Sequence, residues 1–198
     1  MRAFLAIEPR DELRAGLARV QHHLKDRLSQ GGARARITWV RPASIHLTVK
    51  FFGDVQEGLA DLLRGSMERI APGLAPVVIP MSRLGAFPRA EDPRVLWVGP
   101  PPDWDRGADA ERLRSMQQAI DGACASLGVP REDHVWHAHL TLARIRTGER
   151  DVGRLLAAEG LTHEPQSLPA LVADKLTLVR SDLHAEGPVH TRLWTITL

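Results

Sequence analysis

The chain has 198 residues, 43% hydrophobic and 25% charged; this is ordinary globular usage and excludes a disordered, collagen-like or coiled-coil protein. Lys+Arg of 26 against Asp+Glu of 24 leaves a net charge of only +2, which excludes a protein that coats a polyanion and confines any nucleic-acid contact to a local patch. The single cysteine, Cys124, excludes an internal disulfide framework and a cysteine-based zinc ribbon, and fits a reducing compartment.

No apolar run reaches the roughly 18 residues of a membrane span. The opening run Arg2-Ala3-Phe4-Leu5-Ala6-Ile7 meets Glu8-Pro9 too soon for a secretory signal, so a first buried strand and a cytoplasmic, monomeric protein are expected. Leu13, Leu17, Val20, Leu24 and Leu28 then mark one face of a helix that Gly31-Gly32 ends. Ile37 to Val40 reads as a short strand, and Ile45 to Phe52 as a longer one closed by Gly53-Asp54. Leu59, Leu62, Leu63, Met67 and Ile70 trace a second helix. Val77 to Ile79 and Val95 to Val98 are strands on either side of a loop bearing Gly, Pro and Arg.

Gly99-Pro100-Pro101-Pro102-Asp103 is the clearest break and predicts a lobe boundary near 99–105 within one bilobal domain, 1–198. Beyond it, Leu113, Met116, Ile120, Ala123 and Leu127 predict a third helix, with Cys124 packed beside the stripe as a small apolar residue. His139 to Ala143 reads as a strand, Val152 to Leu156 as a short helix, and Leu171 to Val179 and Leu193 to Leu198 as closing strands. Dinucleotide and P-loop glycine motifs are absent. The order helix, strand, helix occurs once per half, which predicts an α+β fold of two similar lobes whose termini can cross between them.

Two segments stand out: His46-Leu47-Thr48-Val49 and His139-Leu140-Thr141-Leu142. On a strand, residues i and i+2 share a face, so each segment pairs an imidazole with a hydroxyl and buries the residues between. Imidazole titrates near pH 6.5, so two such groups flanking a phosphorus can serve as base and acid in an in-line displacement. The threonine hydroxyls can hold the non-bridging oxygens. This chemistry needs no metal or other cofactor.

With these two motifs, the chain resembles the 2H phosphoesterase superfamily, and more closely the RNA 2′,3′-cyclic phosphodiesterase (2′–5′ RNA ligase-like) family. The resemblance extends to Trp39-Val40, to Lys50-Phe51-Phe52-Gly53, to Arg94-Val95-Leu96-Trp97, and to Leu178-Val179-Arg180-Ser181-Asp182-Leu183 with Gly187-Pro188-Val189. It implies two pseudo-symmetric lobes, each an antiparallel sheet with flanking helices, around a central groove. It also implies hydrolysis of an RNA terminal 2′,3′-cyclic phosphate to a 2′-phosphomonoester, with reversible 2′–5′ ligation as a companion reaction. By that resemblance His46 protonates the departing O3′, His139 activates water, Thr48 and Thr141 bind phosphate oxygens, and Arg144 contacts phosphate. The near-symmetric motifs leave the acid and base roles exchangeable on paper. Strict alternation puts Arg144 on the face opposite Thr141, so the carry-over requires the strand to end or bulge near Ala143.

The family's proline before the second histidine is missing from Val135-Trp136-His137-Ala138-His139, and Trp136 is expected either to stack on a terminal base or to be core. The family's C-terminal tyrosine is replaced by His190, which is not expected among the ligand contacts. Other readings stay open. His134, His137 and His139, with Glu132 or Asp133, have a spacing that a metal could use. Arg34, Arg36 and Arg41 could line the rim of a non-catalytic RNA-end binding module. A 2H phosphodiesterase acting on another small cyclic or nucleotide phosphate is a further alternative.

Overall fold

The computed structural model describes residues 1–56, 58–184 and 187–198. Its elements follow in the order β1 (Arg2–Ile7), α1 (Asp11–Gln30), β2 (Arg36–Trp39), β3 (Leu47–Asp54), α2 (Leu59–Ile70), β4 (Val77–Ile79), β5 (Arg83–Phe87), β6 (Val95–Gly99), α3 (Ala108–Ala125), β7 (Leu140–Thr147), α4 (Glu149–Ala158), β8 (Leu171–Ala173), β9 (Lys175–His184) and β10 (Gly187–Thr197). One strand is not legible in the sequence. Arg83-Leu84-Gly85-Ala86-Phe87 reads as loop, yet forms β5 and pairs along the whole of β6. Its glycine is required by packing, since a Cβ at residue 85 would stand 2.2 Å from the Trp97 ring.

The main sheet runs β10-β9-β1-β3-β7-β6-β5, with β2 added to β7, and β4 and β8 form a separate ribbon. Its pairings are antiparallel. β3 and β7 touch through the single pair Leu47–Leu140, so the sheet is two lobes hinged at one point. One lobe is β10-β9-β1-β3, carrying α2, where the Trp194 indole donates to the Ala60 carbonyl, and α3, where Asp121 meets Lys50. The other is β2, β7, β6 and β5, carrying α1. There the Gln21 amide donates to the carbonyls of Val40 at 2.7 Å and Leu142 at 2.8 Å, joining the helix to β7 and to the residue that follows β2.

The lobes therefore do not divide at 99–105. β2, β5 and β6 precede that stretch and belong to the β7 lobe, whereas α3 follows it and packs on the β3 lobe. The proline-rich stretch leads only into a 3-10 turn at Pro102–Arg106. The physical reason is burial: Leu96 and Val98 are fully buried, and β6 gains that burial only between β5 and β7. The main core cluster runs from Leu5 and Leu47 through Leu140 and Leu142 to the helices, and Phe4, Ala6 and Val179 form a second, small cluster.

Candidate active site

Leu47 and Leu140 are fully buried, and each directly follows a motif histidine. One register step to either side of their pair sets His46 opposite Thr141 and Thr48 opposite His139. All four line one groove cavity of about 660 Å³, together with Arg144. The histidines themselves lie just outside regular structure, because β3 begins at Leu47 and β7 at Leu140.

Both imidazoles are oriented by the same local device. His46 Nδ1 is 2.8 Å from the Ser44 carbonyl, and His139 Nδ1 is 2.8 Å from the His137 carbonyl. A carbonyl only accepts, so Nδ1 carries the proton in each neutral ring and Nε2 keeps its lone pair. Aromatic packing holds the ring planes: Phe4 stacks on His46 at 4.4 Å and 18°, and Phe87 meets His139 edge-on at 5.1 Å and 87°.

Burial dominates the proton affinities. It pulls His46 down to about 4; the Ser44 carbonyl opposes this, and His190, His139 and Arg14 add to it. Burial also lowers His139, opposed by the His137 carbonyl and helped by Arg144 and His137. In the free protein burial thus favours the neutral form of both rings.

Arg144 reaches the cavity because β7 is irregular where the carry-over requires it. Trp97 of β6 faces Thr141 but Leu96 faces Ala143, so Leu142 is an extra residue. The burial order agrees with the switch: Leu140, Leu142, Ala143 and Ile145 are buried, while Thr141 and Arg144 face outward into the groove. β3 repeats this. Ala6 of β1 faces Thr48 and Leu5 faces Lys50, with Val49 extra, so Phe51 comes to the groove.

A family model described as LigT like phosphoesterase matches residues 7–97. The RNA 2′,3′-cyclic phosphodiesterase of Methanothermobacter thermautotrophicus is 30% identical over 192 residues, 96% of this chain and 95% of its own. The chain belongs to the LigT-like phosphoesterase family. A protein of the same name from Archaeoglobus fulgidus is 25% identical over 193 residues, 98% of each chain. Two solved structures share the fold. TT0787 of Thermus thermophilus has a TM-score of 0.71 at 24% identity, covering 100% of this chain and 98% of its own. E. coli LigT complexed with 3′-AMP has a TM-score of 0.70 at 22% identity, covering 100% and 97%.

The remaining residues singled out in the sequence fall as follows in this LigT-like site. Trp136 is outside the cavity lining; its indole packs against the core and donates to the Thr48 carbonyl at 2.9 Å, so it braces the first motif instead of facing the groove. His190 does line the groove, 5.4 Å from His46 between ring centroids, and also lines a neighbouring cavity of about 490 Å³. Of the three rim arginines, Arg41 lines both cavities, whereas Arg34 and Arg36 line neither. The possible metal cluster does not assemble either: among the described residues, no three His, Cys, Asp or Glu side chains converge as ligands. Also among them, no helix is long and apolar enough to cross a membrane. Cys124 is buried, and burial raises its thiol to about 12, which leaves it inert.

Sequence reasoning missed four groups. Phe51 lines the groove and is 44% exposed, with the Arg2 guanidinium 5.1 Å above its ring. Arg146 lines the wall beyond Arg144. Phe87 holds His139 from a strand that is not legible in the sequence. Lys50, whose side chain is 2% exposed, binds Asp121 at 2.7 Å and the Pro130 carbonyl at 2.6 Å, tying β3 to the segment that leads to His139. Alternation carried outward from Arg144 would have found Arg146. Lys50 enters the sequence reading only as part of the run Lys50-Phe51-Phe52-Gly53, which says nothing of Asp121 or Pro130.

Proposed function

We propose that the protein is a metal-independent phosphodiesterase that opens the 2′,3′-cyclic phosphate at an RNA end to a 2′-phosphomonoester. The observation that carries this reading is the matched pair of Nε2 atoms, set by identical Nδ1 hydrogen bonds at the start of two strands that meet at Leu47–Leu140. The relatives named RNA 2′,3′-cyclic phosphodiesterase support the substrate.

Water attacks phosphorus as the P–O3′ bond breaks. His139 Nε2 takes the proton from the water, and His46, protonated at Nε2, gives its proton to O3′. The product carries a 2′-phosphate and a free 3′-hydroxyl, and the two histidines then reset by proton exchange with solvent. Thr48, Thr141 and Arg144 hold the non-bridging oxygens, where charge builds in the transition state. The anionic phosphate between the rings raises their proton affinity and so restores the acid that burial suppresses in the free protein. Phe51, on the wall across from Arg144, offers a face on which the terminal base stacks. An RNA 5′-hydroxyl in place of water would give a 2′–5′ linkage. We read the protein as a cytoplasmic monomer, in keeping with its single buried cysteine.

The test is an oligoribonucleotide ending in 2′,3′-cyclic phosphate, assayed with a chelator present and with the product's phosphate position identified. Full activity and a 2′-phosphate product support the reading. A 3′-phosphate product, or activity abolished by the chelator, overturns it.

A further inference from the structure

Some arginines of this chain are paired with carboxylates and some are not. Arg10, Arg27, Arg64, Arg112, Arg154 and Arg192 are held by carboxylates on the outer surface. By contrast, Arg2, Arg41, Arg144 and Arg146 line the groove cavity, and among the described residues none of the four has a carboxylate within salt-bridge distance. The terminal phosphate accounts for Arg144. It does not account for Arg146.

Arg146 lies two residues beyond Arg144 on β7, about 7 Å farther from the histidine end of the strand. That is close to the separation of successive phosphates along a nucleic-acid strand. Thr38 of β2 pairs with Arg144 and lines the same cavity, so its hydroxyl flanks the path between the two guanidiniums. β7 is irregular a second time here: Ile145 faces Ile37 and Thr147 faces Arg36, which makes Arg146 the extra residue. The two guanidiniums also feel each other. Burial lowers the proton affinity of Arg144, and the charge of Arg146 lowers it further.

Ribose geometry gives the direction of the chain. With the 2′ and 3′ oxygens at the histidines, the 5′ carbon is on the opposite edge of the sugar and the strand leaves away from the histidines. We propose that Arg146 and the Thr38 hydroxyl form a second phosphate subsite, which binds the phosphodiester on the 5′ side of the terminal nucleotide and makes an oligonucleotide end, not a mononucleotide, the preferred substrate. Arg36, two residues from Thr38 on the same face of β2, continues the cationic strip outward. This inference rests on the proposed phosphodiesterase reading.

The experiment compares kcat/KM for a nucleoside 2′,3′-cyclic phosphate with that for the dinucleotide bearing the same end, in wild type, Arg146→Ala and Arg146→Lys. The wild type is expected to favour the dinucleotide about tenfold, the scale of one charge-assisted phosphate contact. Arg146→Ala should remove most of that ratio, Arg146→Lys should keep part of it, and the salt slope for the dinucleotide should shrink by about 0.7 in Arg146→Ala. Equal rates on both substrates in wild type, or an equal fall on both in Arg146→Ala, overturns the subsite. Calorimetric binding of a nucleoside 2′-phosphate and the matching 2′-phosphorylated dinucleotide reads the same ratio without turnover. Inactivity on both substrates together with a tenfold binding preference would therefore count against the phosphodiesterase reading and for the subsite.

Discussion

Phe51 stands across the pseudo-twofold from Arg144. Phe51 faces Phe4 in the β1–β3 ladder, and Arg144 faces Val95 in the β6–β7 ladder; each is the third residue after its threonine and each follows one extra residue. The same backbone thus delivers an aromatic face to one wall of the groove and a cation to the other. A symmetric scaffold becomes able to bind a group that is itself asymmetric, a base at one end and a phosphate at the other.

That asymmetry separates two variants. Arg144→Ala should lower kcat by about 10²–10³, the scale for losing a donor aimed at developing charge. Phe51→Ala should act mainly on KM, by a factor of about ten, the scale of one stacking contact. Steady-state kinetics on a cyclic-phosphate dinucleotide distinguishes the two, and the assignment fails if the effects are exchanged.

Each motif histidine should be indispensable. His46→Ala and His139→Ala are each expected to cost about 10²–10⁴ in kcat. If either variant retained wild-type turnover, that histidine would not be the acid or the base.

The pH dependence follows from burial. A reaction that needs one histidine protonated and the other neutral has a bell centred on the mean of the two values, whichever residue plays which part. Both are lowered from 6.5, with His46 near 4, so kcat/KM should peak on the acid side of 6.5. Bound phosphate raises both rings, so kcat should peak at higher pH. Rate profiles at limiting and saturating substrate measure the two peaks, and coincident peaks at or above 6.5 would contradict it.

The same burial links stability to pH. Between about 4 and 6.5 the unfolded chain binds a proton at residue 46 that the folded chain refuses. The stability attached to His46 is therefore full above 6.5 and is lost as pH falls toward 4, by roughly 3 kcal/mol at most. His46→Gln should flatten the fall in thermal midpoint across this window relative to wild type. Parallel curves for the two proteins would show that residue 46 makes no such contribution.

Lys50 should be structural in origin and catalytic in effect. Lys50→Met leaves Asp121 unpaired in a buried setting and should destabilise the fold by about 3–5 kcal/mol in urea titrations. Lys50→Met with Asp121→Leu should recover much of that stability but not the tie to the Pro130 carbonyl, so turnover should stay reduced while the midpoint returns.

Much of this protein is decided by its sequence alone. The 3.6-residue stripe of Leu13, Leu17, Leu24 and Leu28 specifies α1, and the alternation after His46 and His139 marks the two strands, because burying an apolar face is a local requirement written at fixed spacing. The paired motifs name the chemistry because imidazole and hydroxyl at i and i+2 share a face. What the tertiary structure decided is the pairing. The lobe division fell elsewhere than at 99–105, β5 formed around Gly85, Trp136 turned to brace Thr48, and Phe51, Arg144 and Arg146 reached the groove through irregularities in β3 and β7. A strand's period of two states which residues share a face only while the ladder is regular. One extra residue reverses every position beyond it, and where that residue sits depends on the neighbouring strand. A small, nearly neutral chain thereby gathers its functional cations at one groove.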